Sequence, residues 1–426
     1  MATASIVQDA TSHLQSQWAN PNSILDLLLL VGSDVIAIAL AQLTGSRWPT
    51  PVVFSFGWVA YAFKQIALVF GHNHLLIPTD ISSLVINGKS GYARTNQSWI
   101  LGRMLRDFEN GHWMHSKIGS ELQAMLMKEG RSKTGICISL FNMTSDKNMP
   151  KTAIEFEGRG EPAIEPKCDT LWKLGYIVAF LQLGMAAIPW GLWGNWEVFV
   201  VTAFGTVLSF LAGSMHQWRR ERWSCRRLSR NATYVITRGN GAQHALVIFA
   251  KPGSLNLEDL AASTETVRVS PWTKLMAGAQ LILWIALLIT VDGLDSQTWF
   301  LILIGALGML YTILAAVAPR KPENWGIKLE SVVERPCITS HKVMLALIEL
   351  EMAYPGVGLA ALDTFFPGAM SQDEQAFWDK ARTYFERKNP NKGANSVNNK
   401  AASCMQMLDE EVKQLSSKTT GGVGIS

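Results

Sequence analysis

Residues 171–214 read LWKLGYIVAFLQLGMAAIPWGLWGNWEVFVVTAFGTVLSFLAGS, and Lys173 and Glu197 are the only charged side chains among them. About 20 consecutive apolar residues are needed to span the hydrocarbon of a bilayer, so this stretch is long enough for two passes with a turn at Gly194. It predicts a helical hairpin of spans 171–191 and 195–214. The same reading gives spans 23–43 and 51–71, joined by Thr44–Thr50, and spans 271–291 and 297–318, joined by Asp292–Ser296. The expected fold is an all-α membrane protein, a six-helix transmembrane bundle of three hairpins. Trp48, Trp190, Trp193, Trp196, Trp272 and Trp299 fall at or near span ends, where amphipathic rings sit among headgroups. Only 17% of the residues are charged, against about 25% in soluble domains, and 48% are apolar, which excludes a disordered chain. The net charge of +4 is small and its cations cluster between spans, so it gives no nucleic-acid footprint.

Lys and Arg set the orientation, because loops rich in them stay in the cytosol. The loop 72–170 has twelve, the loop 215–270 nine and the tail 319–426 thirteen, whereas the three short hairpin loops share only Arg47. Six spans place both termini and both long loops on that basic side, so both termini are expected to be cytosolic. Residues 1–22 lack a basic segment followed by a short apolar core, and the first span is therefore expected to act as an uncleaved signal anchor for the endoplasmic reticulum. Cys137, Cys168, Cys225, Cys337 and Cys404 all fall in the cytosolic segments without a CxxC, which predicts free thiols. The sequons at Asn96, Asn142 and Asn231 lie there too and should stay unglycosylated.

Within the loops, Trp99–Phe108 and Ser120–Lys128 have apolar residues at helical spacing beside basic ones, as in amphipathic surface helices. Thr233–Thr237 and Ala245–Phe249 flank Arg238-Gly239-Asn240-Gly241 and predict a small β-hairpin. The arginines from Arg219 to Arg227 suit a topology anchor beside anionic headgroups. In the C-terminal segment 319–388, His341–Tyr354 has helical spacing, with breaks at Gly356 and Pro367. Residues 389–426, rich in Asn, Lys, Ser and Gly, are expected to be mostly disordered apart from a short helix near Met405–Leu415.

Asp34 sits near the middle of the first predicted span, where a charge costs at least ~2.5 kcal/mol and calls for a partner. In an antiparallel hairpin Tyr61 lies at similar depth and Lys64 one turn further on, so Asp34, Tyr61 and Lys64 can form either a structural clamp or a functional group. His72-Asn73-His74, followed by Asp80, could ligate metal, but a polar helix end explains the residues as well. His112 and His115 do not complete the His-rich boxes of di-iron oxygenases. Asn87-Gly88-Lys89-Ser90 imitates part of a phosphate loop that Ser83 spoils, and the polar run with Tyr92 and Arg94, then Arg103 and Asp107, suits either a lid or a well-capped loop and helix. Asp292 and Asp295 lie in a short non-cytosolic loop, so diphosphate ionisation through Mg²⁺ is disfavoured.

The runs FGWVAYAF (56–63), VINGKSGYARTNQSWILGRMLRDF (85–108), TRGNGAQHA (237–245) and AYPGVG (353–358) resemble a fungal family of integral membrane proteins. The resemblance extends to the membrane-bound terpene cyclases of the ascofuranone and macrophorin meroterpenoid pathways. Where that family has an acidic residue before Asn at the end of span two, this chain has His72-Asn73. The resemblance implies cyclisation of a farnesyl chain on a lipophilic, prenylated substrate that enters from the bilayer.

Such a reaction needs a carboxylic acid kept protonated by burial, then aromatic faces and no water around the carbocation. Asp34 is the first candidate acid, with Trp58 and Tyr61 as aromatic faces, and Asp80 and Asp107 are alternatives at the cytosolic mouth. Lys64, His72, Asn73, Tyr92 and Arg94 complete the expected substrate-binding set. The chemistry calls for no metal and no organic cofactor. A transporter using Asp34 and Lys64 as a coupling pair, and a scaffold holding partner enzymes on its cytosolic loops, are the alternatives. The sequence sets no oligomeric state.

Overall fold

The protein is described by a computed structural model over residues 31–45, 49–111, 135–144, 169–262, 267–294, 297–368 and 370–388. Its elements in chain order are α1 (Ser33–Leu43), α2 (Trp58–Ala67, continued as a π turn over Leu68–His72), β1 (Leu84–Asn87), β2 (Ala93–Thr95), α3 (Trp99–Glu109) and β3 (Ile136–Met143). Then come α4 (Thr170–Trp193), α5 (Glu197–Gly213), α6 (His216–Arg222), β4 (Ala232–Thr237), β5 (His244–Ala250), α7 (Leu257–Ala261), α8 (Pro271–Asp292) and α9 (Thr298–Val317). β6 (Leu329–Ser331), β7 (Cys337–Ser340), α10 (Val343–Ala353), α11 (Val357–Phe365) and α12 (Gln372–Lys388) close the described chain.

Among the described residues four helices are long and apolar enough to cross a membrane: α4, α5 with its continuation α6, α8 and α9. They match the last four predicted spans to within a few residues. Trp190, Trp193, Trp196 and Trp299 are exposed at one end of the four, and Trp272 at the other, as in interfacial aromatic belts.

The second predicted span is not a helix of that kind. Pro49–Ser55 is non-helical, with a tight turn closed by Val52 N–H to Thr50 O (2.9 Å) and a strand-like run from Val52; it turns at Gly57 (φ 87°) and returns as α2. Thr50 N–H donates to Ser214 Oγ at the end of α5, whereas a Cβ on Gly305, twelve residues inside α9, would strike the Phe56 ring. Twelve helical residues cover about 18 Å, so the contact of Phe56 with Gly305 puts the tip of this strand-like segment well inside the bundle before α2 leads back to the end it came from. Pro49, Pro51 and the β-branched pair Val52-Val53 favour this over a helix. Non-helical backbone is tolerated at such depth only when protein encloses it and satisfies its polar groups. Both conditions hold. Val52, Val53, Phe54 and Ser55 are buried, Tyr176 Oη donates to Pro49 O at 2.8 Å, and Trp58 Nε1 donates to Val53 O at 3.1 Å. Gln182 Nε2 donates to Phe54 O at 2.7 Å and to Ile304 O at 2.9 Å. Helix surfaces come this close because Gly175, Gly205, Gly213, Gly305 and Gly308 face the strand without a Cβ.

Of the first predicted span only α1 is described, and residues 23–30 lie outside the described residues. α1 starts after Gly32 (φ 97°), which abuts Gly57 at the tip of the strand, and packs on α2 and α9. Among the described residues, four long helices therefore enclose α1 and the strand-and-helix insertion that stands where the second span is expected.

The described residues are mostly helical, as expected, but the segments between spans also build a seven-stranded sheet. Its order is β2-β1-β4-β5-β3-β6, with β7 also on β3; only β3 and β5 are parallel. The predicted hairpin is present as β4 and β5, paired Thr237↔Ala245 through Ala232↔Ala250, but as the centre of this sheet. Alternation decides the faces. Ile86, Val235, Val247, Ile138 and Leu140 pack under α10, α11 and Trp378 of α12, while Val85, Ile236, Leu246, Ile248 and Phe141 pack against α3 and α7. The first amphipathic helix therefore exists as α3, but covered by sheet and bundle and not on a membrane surface. The second, 120–128, and the helix near Met405–Leu415 lie outside the described residues.

The joint between bundle and sheet is built from buried arginines. Arg103 donates to Ala316 O, Arg222 to Thr44 O and Gln42 O, and Arg320 to Gln42 O. These carbonyls end α1 and α9, the negative poles of two helices, where cations are favoured. Trp325 lies between Arg222 (4.5 Å) and Arg320 (4.8 Å).

Glu351 ties α10 to α11: it is buried and accepts from Gly356 N–H (2.6 Å) and Leu359 N–H (2.9 Å). Burial outweighs those bonds and raises its carboxyl to about 7. The folded value lies above the ordinary 4.5, so this group's stabilisation is complete below pH 4.5 and is lost as pH rises to about 7. The loss is on the order of 3 kcal/mol. Glu351→Gln should flatten that part of the profile, as seen in melting temperatures of both proteins from pH 4.5 to 8.

Candidate functional site

The sequence places its polar residues inside the bundle sparingly, and most have partners. Tyr61 and Gln280 are two whose side chains have none. α2 and α8 are antiparallel neighbours: the rings of Trp58 and Trp284 stack at 5.3 Å with 6° between planes, and Lys274 Nζ lies 5.5 Å over the Phe70 ring. Tyr61 is about one turn from Trp58 and Gln280 about one turn from Trp284, in the same direction, so they share a level. Both are about 1% exposed, and the Tyr61 hydroxyl and both polar atoms of the Gln280 carboxamide lack hydrogen-bond partners. Unpaired polar groups in such a setting mark a place for a polar ligand atom or water. Phe54 stacks on the far side of the pair, 6.2 Å from Trp284, and Trp58 meets Tyr61 edge-on at 5.5 Å. The polar level is thus roofed by aromatic faces.

Glu221 of α6 is a buried carboxyl close enough for its charge to act on this level. It is fully buried, accepts from Leu75 N–H and Leu76 N–H (2.7–2.9 Å) and from Gln217 Nε2 (2.8 Å), and its charge acts on the Tyr61 hydroxyl. No cation lies within ion-pair distance of it among the described residues. Gln217 also stands in the wall of a cavity of about 430 Å³ that opens between α5, α6 and α8, with Met215, Arg220, Trp272 and Met276 around it. Met276 is one turn from Gln280 on α8, so the cavity's inner end approaches the Tyr61 level.

The three acids expected from sequence are all engaged by cations. Asp34 does meet Lys64, at 2.5 Å, but in the first turn of α1 and 82% exposed on the bundle's outer face. Gly32 starts the helix one residue before Ser33, and this sets Asp34 outside. Tyr61 therefore points inward, away from that pair. Asp80 pairs with Arg103 at 3.2 Å, and Asp107 accepts from Arg106 and from Arg320 N–H (2.9 Å), which makes both part of the joint under α3. Trp58 and Tyr61 are inside, as expected. His72 is exposed 5.7 Å from His74, and Asn73 takes a left-handed turn (φ 57°) that ends the π turn. Tyr92 and Arg94 stack on each other in the β1–β2 turn and strand, on the sheet and away from the interior. The 85–99 run forms the β1–β2 hairpin and leads into α3. His112 and His115 lie outside the described residues.

Two signals for Glu221 and Gln280 were open in the sequence: a Glu inside an arginine run and a lone Gln in an apolar span. No protein family, curated protein or solved structure matches the chain.

Proposed function

We propose that the chain is a membrane-embedded isomerase that cyclises the prenyl chain of a lipophilic substrate, with Glu221 in place of Asp34 as the acid. The observation that carries this reading is the buried Glu221, without an ion pair among the described residues, whose charge acts on unpartnered Tyr61, with unpartnered Gln280 at Tyr61's level under the stacked Trp58, Trp284 and Phe54. The resemblance read in the sequence supports it. An acid catalyst needs its carboxyl proton, and ion-paired Asp34, Asp80 and Asp107 serve that need poorly. Glu221 gives a proton to an alkene carbon or an epoxide oxygen, and the Tyr61 hydroxyl, with no other partner, orients the substrate. The cation that forms is held by the aromatic faces. A proton lost from the cyclised product returns to the carboxylate, so the product has the mass of the substrate. The substrate enters from the bilayer through the cavity beside Gln217. The distribution of Lys and Arg supports a cytosolic sheet domain, and the endoplasmic reticulum is the proposed membrane.

The test is expression in a host free of related pathways, fed with farnesylated phenols and their terminal epoxides. A new isomer of unchanged mass is expected. Intact, membrane-inserted protein that yields none contradicts the reading and favours a scaffold.

A further inference from the structure

The cavity has two chemically distinct sides. Met215 and Met276 give it an apolar flank, and Trp272, 67% exposed, stands at its mouth. Its polar lining includes His216, Gln217 and Arg220. Gln217 is 1% exposed; its Nε2 is held by Glu221 and by Arg268 O (3.4 Å), and its Oε1 has no donor. Arg220 is half-buried, acts on Glu221 only at a distance, and makes no ion pair or hydrogen bond among the described residues. Ser270 and Thr273 bond each other (2.9 Å), which leaves Arg220, the exposed His216 imidazole and the enclosed Gln217 carboxamide as the polar groups along the cavity. A guanidinium calls for an anion, and an unpaired amide oxygen calls for an O–H or N–H.

We propose that this cavity binds an amphiphile whose head combines an anionic group, for Arg220, with a hydroxyl donor, for Gln217 Oε1, and whose hydrocarbon lies along Met215 and Met276. Resting on the reading of the cavity as the substrate's entrance, this names the substrate class: prenylated hydroxy acids, bound head-first at the interface with the chain directed inward. A phosphomonoester lipid presents the same head chemistry from the bilayer.

Native mass spectrometry of the full chain in neutral detergent separates these. The probes are a farnesylated hydroxybenzoate, its methyl ester and lysophosphatidate. One hydroxybenzoate per chain is expected, with the ester at least about 10-fold weaker and Arg220→Gln weaker by about 10- to 100-fold, the range for a charge-assisted bond. Arg220→Lys should retain most of the binding. Met276→Trp, which fills the cavity and keeps the cation, should abolish it, and unchanged melting temperatures establish that the variants fold. Glu221→Gln should bind within about threefold of the parent protein, so loss of turnover with retained binding separates this proposal from the catalytic one. Equal binding of acid and ester, or an unaffected Arg220→Gln, overturns it. Lysophosphatidate that outcompetes the hydroxybenzoate assigns the site to a bilayer lipid and overturns the substrate class.

Discussion

Gly308→Ala is expected to prevent assembly of the bundle. A Cβ at this position would lie 1.9 Å from Phe54 O and 2.7 Å from Gln182 Nε2, so it displaces the strand and breaks the bond that satisfies its carbonyl. Helix surfaces are rigid, and neither α9 nor the strand can yield without opening the packing of Phe54 on Trp284. Overpacking and an unsatisfied buried carbonyl together cost about 3–5 kcal/mol. Gly184→Ala and Gly278→Ala are the controls, since a Cβ there meets nothing within 4 Å and helix propensity gains by up to about 1 kcal/mol. Thermal unfolding in detergent should show a large loss for Gly308→Ala and none for the controls. Equal melting temperatures would remove the inserted strand from the fold.

The second large effect is expected for Arg320→Ala. Arg320 is 8% exposed and pairs with Asp169 at 2.7 Å, donates to Gln42 O at the end of α1, and covers Trp325. Asp169 is 9% exposed and caps α4 through Trp172 N–H, so it cannot turn to water without uncapping that helix. Removing one partner of a buried pair leaves the other charge uncompensated, at about 3–5 kcal/mol. Truncation should therefore destabilise bundle and sheet together, since Arg320 joins both. Arg320→Lys should recover part of it, because an ammonium cannot serve the carboxylate, the carbonyl and the ring at once. Circular dichroism melts followed at helix and strand wavelengths check this: one shared transition at lower temperature is expected, whereas separate transitions in the parent protein would contradict the coupling.

The four long spans were legible because each is uninterrupted and apolar, so length alone decides them. Residues 51–71 have similar hydropathy and a different fate. There the informative residues are Pro49, Pro51, Val52, Val53 and Gly57, a local signal that a hydropathy count averages away. The glycines that admit the strand are spread over α4, α5 and α9 and acquire meaning only once the strand is in place. The sheet was half visible: β4 and β5 alternate strongly around Arg238–Gly241, but β3 and the three-residue strands β2 and β6 depend on partners far along the chain. The site followed the same division. Trp58 and Tyr61 could be placed inside from the apolar pattern of α2. Asp34 was assigned to the interior on the assumption that its helix runs through mid-depth, and Gly32, which begins the helix beside it, reverses its facing. Glu221 was concealed by five neighbouring arginines that read as a surface anchor, although Arg222 and Glu221 are both buried.

The proposed chemistry rests on which carboxyl delivers the proton, and turnover of Glu221→Gln and Asp34→Asn, measured side by side on inserted protein of equal melting temperature, tests it most directly. The prediction is that Glu221→Gln loses the isomer by at least about 100-fold, the low end for general-acid catalysis, while Asp34→Asn keeps it within a few-fold. Full turnover by Glu221→Gln, or its loss in Asp34→Asn alone, would contradict the assignment.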